Sequence, residues 1–546
     1  MSLTTQQLEI LDTWNDHNQN ITAAASSMGI PRTTFRDRLH MAQQLQQEIT
    51  NQPEEVQITK RIGVTRLPGM VISPDATRKV APGDTFVLTC AQSNTKVHNR
   101  FWKSLLVYCK ENNAELHVSR FTYNKESFAG HNAKPGKGNT GSQEVWYDPK
   151  IIPYISDDSL KLAPDLIWCG ELNIIPTRVN PISGFQSYTR MSSCILPHAK
   201  MAMESVPNMK FEKTKQVFTT GTVTLRNYIQ KAAGQKAEFH HVFGAIIVEV
   251  DADGTWWARQ LNASSNGSFY DLNKQYTPSG VKDAPNIQAI THGDIHGLML
   301  NKGVKKAVFG FNGILDSLRP KEQFFHDLID FMPRNHHNIG DPHFLYRMWK
   351  NKTSNVEAEF DYVADLMTND STGAYRPWCN THVVVSNHDQ AIEHWLRNPV
   401  AMKDPENVIF WHKINAAVLS NSQPHAFEQS LRMSIDKLGK HKQDRINVIQ
   451  EDDSYRILGE IEAGLHGHLG SNGSRGSPRN ISNAGKANTG HTHSTGIFQG
   501  VYTAGLYADL DLKYNKGLSS WSHGCVITYL NAKRAILTIN KGRAWR

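Results

Sequence analysis

Seven polar side chains between residues 287 and 493 are of the types that bind divalent cations. They are carboxylates, imidazoles and one amide oxygen, with no thiolate among them: Asp294, His296, Asp327, Asn387, His466, His491 and His493. Such ligands suit borderline to hard divalent ions. Seven ligands exceed the roughly four to six positions around one ion, so the set suits two ions that share one carboxylate. Two such ions clamp the attacking and leaving oxygens of a displacement at phosphorus.

Short apolar runs precede three of these fragments and are typical of buried strands. Residues 287–290, 323–325 and 381–385 come directly before the Asp294, Asp327 and Asn387 fragments. The polar groups are therefore predicted where strands end and loops begin, which is the edge where open α/β sheets build their sites. A His-rich end follows, with His466-Gly467-His468 and then Gly490-His491-Thr492-His493.

Taken in order, Asp-x-His, Asp-x-x-Asp, Asn-His-Asp and Gly-His-x-His resemble the motifs of the calcineurin-like metallophosphoesterases, which include the Mre11-type nucleases. The resemblance covers residues 287–500 and implies an α/β fold, the metallophosphoesterase sandwich. The chain departs from the family at two positions. His326 stands where the family has Gly before its bridging Asp, and Ser386 stands where it has Gly before Asn.

The resemblance implies a role for each ligand. One ion would be held by Asp294, His296, Asp327 and His493, and the other by Asp327, Asn387, His466 and His491. Sequence alone leaves two choices open. His468 rivals His466, because both flank one glycine, and Asp330 and Asp341 rival Asp327 as the bridging carboxylate.

The resemblance also implies the chemistry. His388 is the predicted acid-base residue that does not bind metal, and Asp389 would hold its tautomer. The nucleophile would be a hydroxide activated by the ions. Nitrogen and oxygen ligands without cysteine fit Mn²⁺, while Fe, Zn, Co and Mg remain possible.

The first 45 residues predict a small helical unit that resembles a Fis-type helix-turn-helix. Thr22 is the predicted cap of its second helix, and Gly29 supplies the turn before the third. The third helix presents four polar side chains to DNA: Arg32, Thr33, Arg36 and Arg38. Such side chains mostly meet phosphates. The alternative is a helical hairpin for oligomerisation or docking.

The remaining chain divides by composition into a linker at 46–83, an α/β accessory domain at 84–285 and the metallophosphoesterase domain at 286–546. The accessory domain is predicted to contain a βαβ unit and a hairpin at 244–260. Trp256 and Trp257 of that hairpin could stack on bases, or place one ring in the core. A basic loop is predicted at 130–143, and a closing hairpin near the C-terminus.

A Gly/Ser/Asn-rich loop at 471–489 lies between the two His motifs. It has no apolar pattern, and it carries Arg475 and Arg479. Its position in the chain predicts flexible cations beside the site, where a phosphodiester would lie.

The leading functional hypothesis is a metal-dependent DNase. The formal charge of +8 and the pI of about 9.0 permit a polyanionic partner. The whole chain also resembles the DNA transfer proteins of T5-like phages, which implies host-DNA degradation or DNA entry. The alternatives are a phosphomonoesterase or nucleotide phosphatase, and a DNA-binding takeover or scaffold protein with a structural metal site.

The composition of the chain indicates the cellular compartment in which the protein is expected. No apolar run approaches the length of a membrane span, and the six cysteines show no CxxC spacing. These features predict reduced thiols and a cytoplasmic protein, in the host cytoplasm if the chain is phage-encoded. Because helix-turn-helix units usually act in pairs, a homo-oligomer is expected.

Overall fold

A computed structural model describes residues 4–50, 83–123, 145–210, 212–336, 338–420, 425–439, 445–512 and 514–546. Most of the predicted linker (51–82) and the whole basic loop at 130–143 lie outside these ranges. The chain divides into two units, which are described separately. The first is built around residues 4–50, and the second holds the sheets and the remaining helices.

The first unit consists of three helices, as predicted. They are α1 (Thr5–Asp16), α2 (Ile21–Ser27) and α3 (Arg32–Thr50). The predicted cap of α2 was wrong. Asn20 caps it, because its side chain accepts hydrogen bonds from the backbone N–H groups of Thr22 and Ala23. Gly29, at φ 63°, makes the turn before α3. The helices bury a small core of Ile10, Leu11, Ala24, Ala25, Phe35, Leu39 and Ala42.

A six-stranded mixed sheet carries the predicted site strands. Its spatial order is β16-β15-β14-β13-β22-β23, and the first four strands run parallel. The last two form the predicted C-terminal hairpin. The strands are β13 (Ala289–Thr291), β14 (Glu322–Phe325), β15 (Asn380–Val384), β16 (Ile446–Ile449), β22 (Gly524–Thr528) and β23 (Arg534–Thr538).

A ten-stranded mixed sheet joins two distant segments of the chain. Five strands come from residues 159–219: β3 (Ser159–Ala163), β4 (Leu166–Cys169), β5 (Ser193–Leu196), β6 (Met203–Val206) and β7 (Lys215–Thr219). Five come from 456–503: β17 (Arg456–Ile457), β18 (Ile461–Glu462), β19 (Ala487–Thr489), β20 (Gly496–Phe498) and β21 (Val501–Thr503). The segments meet where β6 pairs with β20. Strands from both sides of residue 285 thus share a sheet, and the boundary there stays a prediction.

Two smaller sheets complete the second unit. The predicted βαβ unit and hairpin are confirmed, because they combine into a mixed sheet with the order β2-β1-β8-β9. Its elements are β1 (Thr85–Gln92), α4 (Asn99–Glu111), β2 (Ala114–Phe121), β8 (Gly244–Val250) and β9 (Trp256–Asn262). An antiparallel sheet follows, with β10 (Phe269–Asp271), β11 (Lys274–Thr277) and β12 (Gly280–Asp283).

Helices cover one face of the six-stranded sheet. Alternation along a strand sends Ile290 into the core beneath these helices and Ala289 to the opposite face, where Ile457 and Ile461 of the ten-stranded sheet also pack. The helices of the second unit after α4 are α5 (Ala232–Phe239), α6 (Lys302–Phe309), α7 (Ile314–Leu318), α8 (Pro342–Lys350), α9 (Val356–Thr368), α10 (Ala391–Leu396), α11 (Val408–Ser420), α12 (Ala426–Lys437) and α13 (Pro478–Ile481).

The fold is therefore mixed α/β, as predicted, with three mixed sheets. Both tryptophans of the β8–β9 hairpin are buried, Trp256 donating to Asp165 and Trp257 to the carbonyl of Arg543. Base stacking by these rings was therefore a wrong expectation, because both rings are buried inside the fold. In the described ranges, every helix is too short or too polar to cross a bilayer.

Candidate metal centre

The predicted site lies at one edge of the six-stranded sheet. Because β13, β14 and β15 run parallel, the loops that follow them begin at the same edge and carry Asp294, Asp327 and Asn387. Strand β19 of the ten-stranded sheet ends at Thr489, directly before His491 and His493. The proposed ligands therefore lie at the ends of strands in two sheets. For Asp294, Asp327 and Asn387, the sequence predicted this position at strand ends.

Four side chains converge in a cluster that we call the buried half of the site: Asp294, His296, Asp327 and His493. The Nε2 atoms of His296 and His493 lie 3.0 Å apart. His493 Nε2 lies 3.3 Å from Asp294 Oδ2, and His296 Nε2 lies 3.5 Å from Asp327 Oδ2. Ligands held about 2.0–2.2 Å from a common ion are separated by about 2.8–3.6 Å, so these atoms have the spacing of a coordination sphere.

The hydrogen bonding of the carboxylates also fits a cation. Within the described chain, Asp294 Oδ1 and both carboxylate oxygens of Asp327 are buried and make no hydrogen bond. Burying a carboxylate without hydrogen bonds is costly unless an opposite charge compensates it. His466 Nε2 is likewise buried without a hydrogen bond. The donor set therefore fits a divalent metal ion.

Backbone strain coincides with the proposed ligands. His296 has φ 48°, Asp327 φ 44°, His491 φ 72° and His493 φ 55°. Side chains other than glycine rarely adopt this left-handed conformation, and residues that do so cluster at functional sites. Gly490 meets a different constraint, since a Cβ atom there would lie 2.2 Å from Asp294 Oδ1. The loops are thus shaped to bring these side chains together.

The other proposed ligands, which we call the open half, are His466, His491 and Asn387. His466 Nε2 lies 3.4 Å from Asp327 Oδ1, and the His466 and His491 ring centroids are 5.2 Å apart. His491 is half-buried, and its backbone N–H donates to Asp294 at 2.8 Å. Asn387 is exposed. The structure therefore brings His466 to Asp327 and His491 to His466 and Asp294, but leaves Asn387 exposed.

The structure separates the rivals that the sequence left open. His468 Nε2 lies 2.7 Å from Glu451 Oε1, whereas His466 faces Asp327. Asp341 is exposed and caps α8, accepting from the backbone N–H groups of His343 and Phe344. The geometry therefore favours His466 over His468 and removes Asp341 as a bridging carboxylate.

Asp330 holds two histidines of the site. Its Oδ1 lies 2.8 Å from His296 Nδ1 and 3.3 Å from His388 Nδ1, and its carbonyl oxygen lies 3.2 Å from His388 Nδ1. Both neighbours of His388 Nδ1 are acceptors, so that nitrogen carries a proton. Asp389, expected in this role, instead accepts from the backbone of Ile329 and Ser386. The role of Asp389 is corrected accordingly: it braces two loops.

Electrostatics set the two central carboxylates apart. Burial and the charge of Asp327 raise the pKa of Asp294 well above its ordinary value. Burial also raises the pKa of Asp327, but the surrounding His466 and His388 rings outweigh it, and the net shift is well below the ordinary value. Two carboxylates in one dry site repel each other, and a cation between them would relieve that repulsion.

The predicted acid-base residue has a high pKa. Burial lowers the pKa of His388, but the Asp327 and Asp330 carboxylates outweigh it and raise that pKa to about 10. The His388 side chain is 20% exposed, which leaves it reachable by a substrate. By contrast, burial lowers the pKa of His493 to about 4, so its ring is neutral and can bind metal at neutral pH.

Several residues of the site were not assigned a role from the sequence. Glu359 accepts from the backbone N–H groups of Asp330 and Phe331, and so fixes that turn. His326 faces His466, with 3.4 Å between their Nδ1 atoms. The Trp521 ring lies against His493, with centroids 4.5 Å apart. Two residues had a sequence signal: His326, which replaces the family's Gly before Asp327, and Asp330, the second carboxylate of Asp-x-x-Asp.

The proposed DNA contacts lie on exposed surfaces. Arg32, Thr33, Arg36 and Arg38 are all exposed on α3. In the loop between the His motifs, Arg475 is exposed and helps lower the pKa of His491 after burial. Arg479, also exposed, lies in α13, with its guanidinium carbon 5.9 Å from the Phe498 ring centroid. The segment expected to be an irregular loop thus contains short helices.

The chain is similar to Protein A1 of Escherichia phage T5. The two are 36% identical over 509 residues, which cover 90% of this chain and 88% of Protein A1. The chain belongs to the Protein A1 family. This confirms the expected relation to T5-like phages. Neither a protein-family model nor a solved structure matches the chain. For this member of the Protein A1 family, the likeness to metallophosphoesterases therefore rests on its motifs and on its site.

Proposed function

We propose that the chain is a metal-dependent phosphodiesterase that hydrolyses DNA, with a calcineurin-like metallophosphoesterase sandwich in residues 286–546. One observation carries the proposal. Asp294, His296, Asp327 and His493 converge at the carboxyl edge of parallel strands, with buried carboxylate oxygens that make no hydrogen bond in the described chain. The relation to phage T5 Protein A1 supports a phage-related function. Within it we propose host-DNA degradation or DNA transfer, the role that the sequence resemblance to DNA transfer proteins of T5-like phages implies.

Two divalent ions, best matched by Mn²⁺, fit the donor set. The buried half would hold one ion, and Asp327 with His466 and His491 would hold the other. Such ions polarise a phosphoryl oxygen and lower the pKa of bound water. Asp330 turns the Nε2 atom of His296 towards the cluster by occupying its Nδ1.

His388 is the proposed general acid. Because its Nδ1 proton points at Asp330, its Nε2 is the nitrogen that can protonate the leaving oxygen. A pKa of about 10 keeps the ring protonated at neutral pH, and divalent cations nearby would bring the pKa down towards the range where a general acid works best. The ring is therefore held and charged for proton donation.

DNA is the proposed substrate because exposed cations lie at two places. Arg32, Arg36 and Arg38 are exposed on α3, and Arg475 is exposed in the loop before His491, where its charge contributes to the lowered pKa of that histidine. Lysine and arginine side chains bind the phosphate backbone largely without regard to sequence. We therefore expect these cations to bind DNA with weak sequence preference and a strong dependence on salt.

One assay tests the proposal. The purified protein is incubated with Mn²⁺ and either plasmid DNA or p-nitrophenyl phosphate, alongside Asp294→Asn, His388→Ala and, as a control, His394→Ala on the exposed side of α10. DNA cleavage that is lost in the first two variants and kept in the control supports the proposal. Turnover of the monoester alone would point to a phosphatase, and DNA retardation without either activity would point to a binding protein.

A further inference from the structure

A cavity of about 290 Å³ lies against the loop that carries the proposed ligands His491 and His493. Thr492 and Ser494 line it, and they alternate along the chain with the proposed ligands His491 and His493. The loop therefore directs Thr492 and Ser494 into the cavity, while its two histidines belong to the proposed metal centre. Phe498 and Glu204 of the lining are half-buried and Arg479 is exposed, so the cavity opens to the surface beside the site.

We propose that this cavity is a nucleoside subsite that binds the base next to the scissile phosphate. This inference rests on the proposed function. A volume of 290 Å³ lies at the lower end of the range for small-molecule sites. It is large enough to admit one nucleoside unit.

The walls of the cavity offer a base both apolar contact and a surface for stacking. Ile182, Met203 and Ile497 provide an apolar wall and are at most 4% exposed. At the mouth, the Arg479 guanidinium lies over the Phe498 ring. Bases outside a duplex stack on aromatic rings and on guanidinium planes. The mouth thus offers a stacking platform. The apolar wall behind it would take the place of the contacts that a base makes with its neighbours in DNA.

Glu204 supplies the polar end of the cavity. Both of its carboxylate oxygens accept from Gln186 Nε2, at 3.3 and 3.2 Å, and each oxygen can accept a further hydrogen bond. A carboxylate favours a base that offers an exocyclic amino group, as cytosine does. Thymine offers no amino group. Thymine can donate only its ring N3–H, so we expect the subsite to prefer amino-bearing bases over thymine.

Two sets of substrates test the subsite. The p-nitrophenyl esters of 2′-deoxynucleoside 5′-phosphates carry a base, whereas bis-p-nitrophenyl phosphate is a phosphodiester without one. In Mn²⁺, we expect kcat/KM for the cytidine and adenosine esters to exceed that for the thymidine ester by about tenfold. Phe498→Ala should lower kcat/KM for the nucleoside esters about 5- to 150-fold, through KM, and leave the baseless diester unchanged.

Glu204→Gln is the isosteric test, since an amide can donate to thymine O4. We expect it to shift the preference from amino-bearing bases towards thymine. Glu111→Gln, on an exposed position of α4, is the matched control and should leave the preference unchanged. Equal kcat/KM for all esters, unaltered by Phe498→Ala and Glu204→Gln, would overturn the subsite while leaving the phosphodiesterase intact.

A binding measurement separates this inference from the proposed function. Calorimetric titration with 2′-deoxynucleoside 5′-monophosphates in EDTA needs no hydrolysis and no metal. Binding of the cytidine and adenosine nucleotides that is lost in Phe498→Ala supports the subsite, even if the protein cleaves no diester. Failure of the wild-type protein to bind any nucleotide overturns the subsite, whatever the protein hydrolyses.

Discussion

The buried and open halves of the candidate metal site place their proposed ligands in different ways. Asp294, His296 and His493 are at most 6% exposed, while Asn387 is exposed and His491 half-buried. In the buried half, Asp330 and strained backbone fix the rings. In the open half, His466 is also buried, and the difference lies in His491 and Asn387. The fold thus organises the buried half more fully than the open half. We expect the buried half to bind its ion first and more tightly.

Asp327 belongs to both halves, so its removal should have the largest effect. We predict that Asp327→Ala loses the ions of both halves, because each half approaches one of its oxygens. Metal content after Mn²⁺ loading and desalting, measured by mass spectrometry, checks this. Asp341→Ala, at the exposed cap of α8, is the control and should keep its metal. Two ions retained in Asp327→Ala would place the bridge at Asp330.

His388 should separate chemistry from metal binding. We predict that His388→Ala keeps its metal but lowers kcat about 10²–10⁴-fold, the share of a positioned acid-base group. Steady-state rates on DNA and metal content are measured on one preparation, with His394→Ala as the control. Should metal and activity fall together, His388 would be a ligand or a structural residue.

Asp330 should affect the buried half through the rings that it orients. We predict that Asp330→Asn weakens Mn²⁺ binding about 10- to 100-fold, because His296 loses its charged partner. Titration calorimetry checks this. Glu451→Gln makes the same change beside His468 and should leave the affinity unaltered. An equal loss in both variants would return His468 to the ligand set.

The smallest expected effect is on stability against acid. Burial lowers the pKa values of His326 and His493 to about 4, and those of His198 and His241, outside the site, to about 3. The unfolded chain binds these protons near pH 6.5 and the folded chain does not, so stability falls as pH drops from 6.5 towards 4. Urea unfolding at pH 7, 6 and 5 measures the slope.

Metal should make this pH dependence steeper, because a carboxyl group that binds an ion cannot hold a proton. The raised pKa of Asp294 lets the folded chain keep a proton there in EDTA, and Mn²⁺ would displace it. We therefore expect a steeper slope in Mn²⁺ than in EDTA, while the contribution of His198 and His241 should be the same in both. Identical slopes would contradict binding of the ion by Asp294.

Sequence reasoning predicted the parts that depend on short segments. The strands before Asp294, Asp327 and Asn387 and the hairpin at 244–260 follow from local patterns, and the structure contains them. Parallel neighbours then bring the first loops together. A pattern read along the chain therefore gave both the elements and the edge where the site lies.

Features that depend on long-range packing were not predictable. Glu451 binds His468 and so distinguishes it from His466. Glu451 lies 17 residues before His468, and only the fold brings the two side chains together. Asp330 took the role expected of Asp389, because a turn held by Glu359 directs it at His388. The ten-stranded sheet joins residues 159–219 to 456–503, and nothing local to either segment encodes that pairing.

The central claim is that the four side chains of the buried half, which include Asp327, bind one cation. Anomalous scattering from crystals grown with Mn²⁺ tests it most directly. The account predicts one full-occupancy peak within about 2.0–2.3 Å of Asp294, His296, Asp327 and His493, and a weaker peak about 3.5–4 Å away, near His466 and His491. A map with no peak among these residues, or with manganese bound only elsewhere, would contradict it.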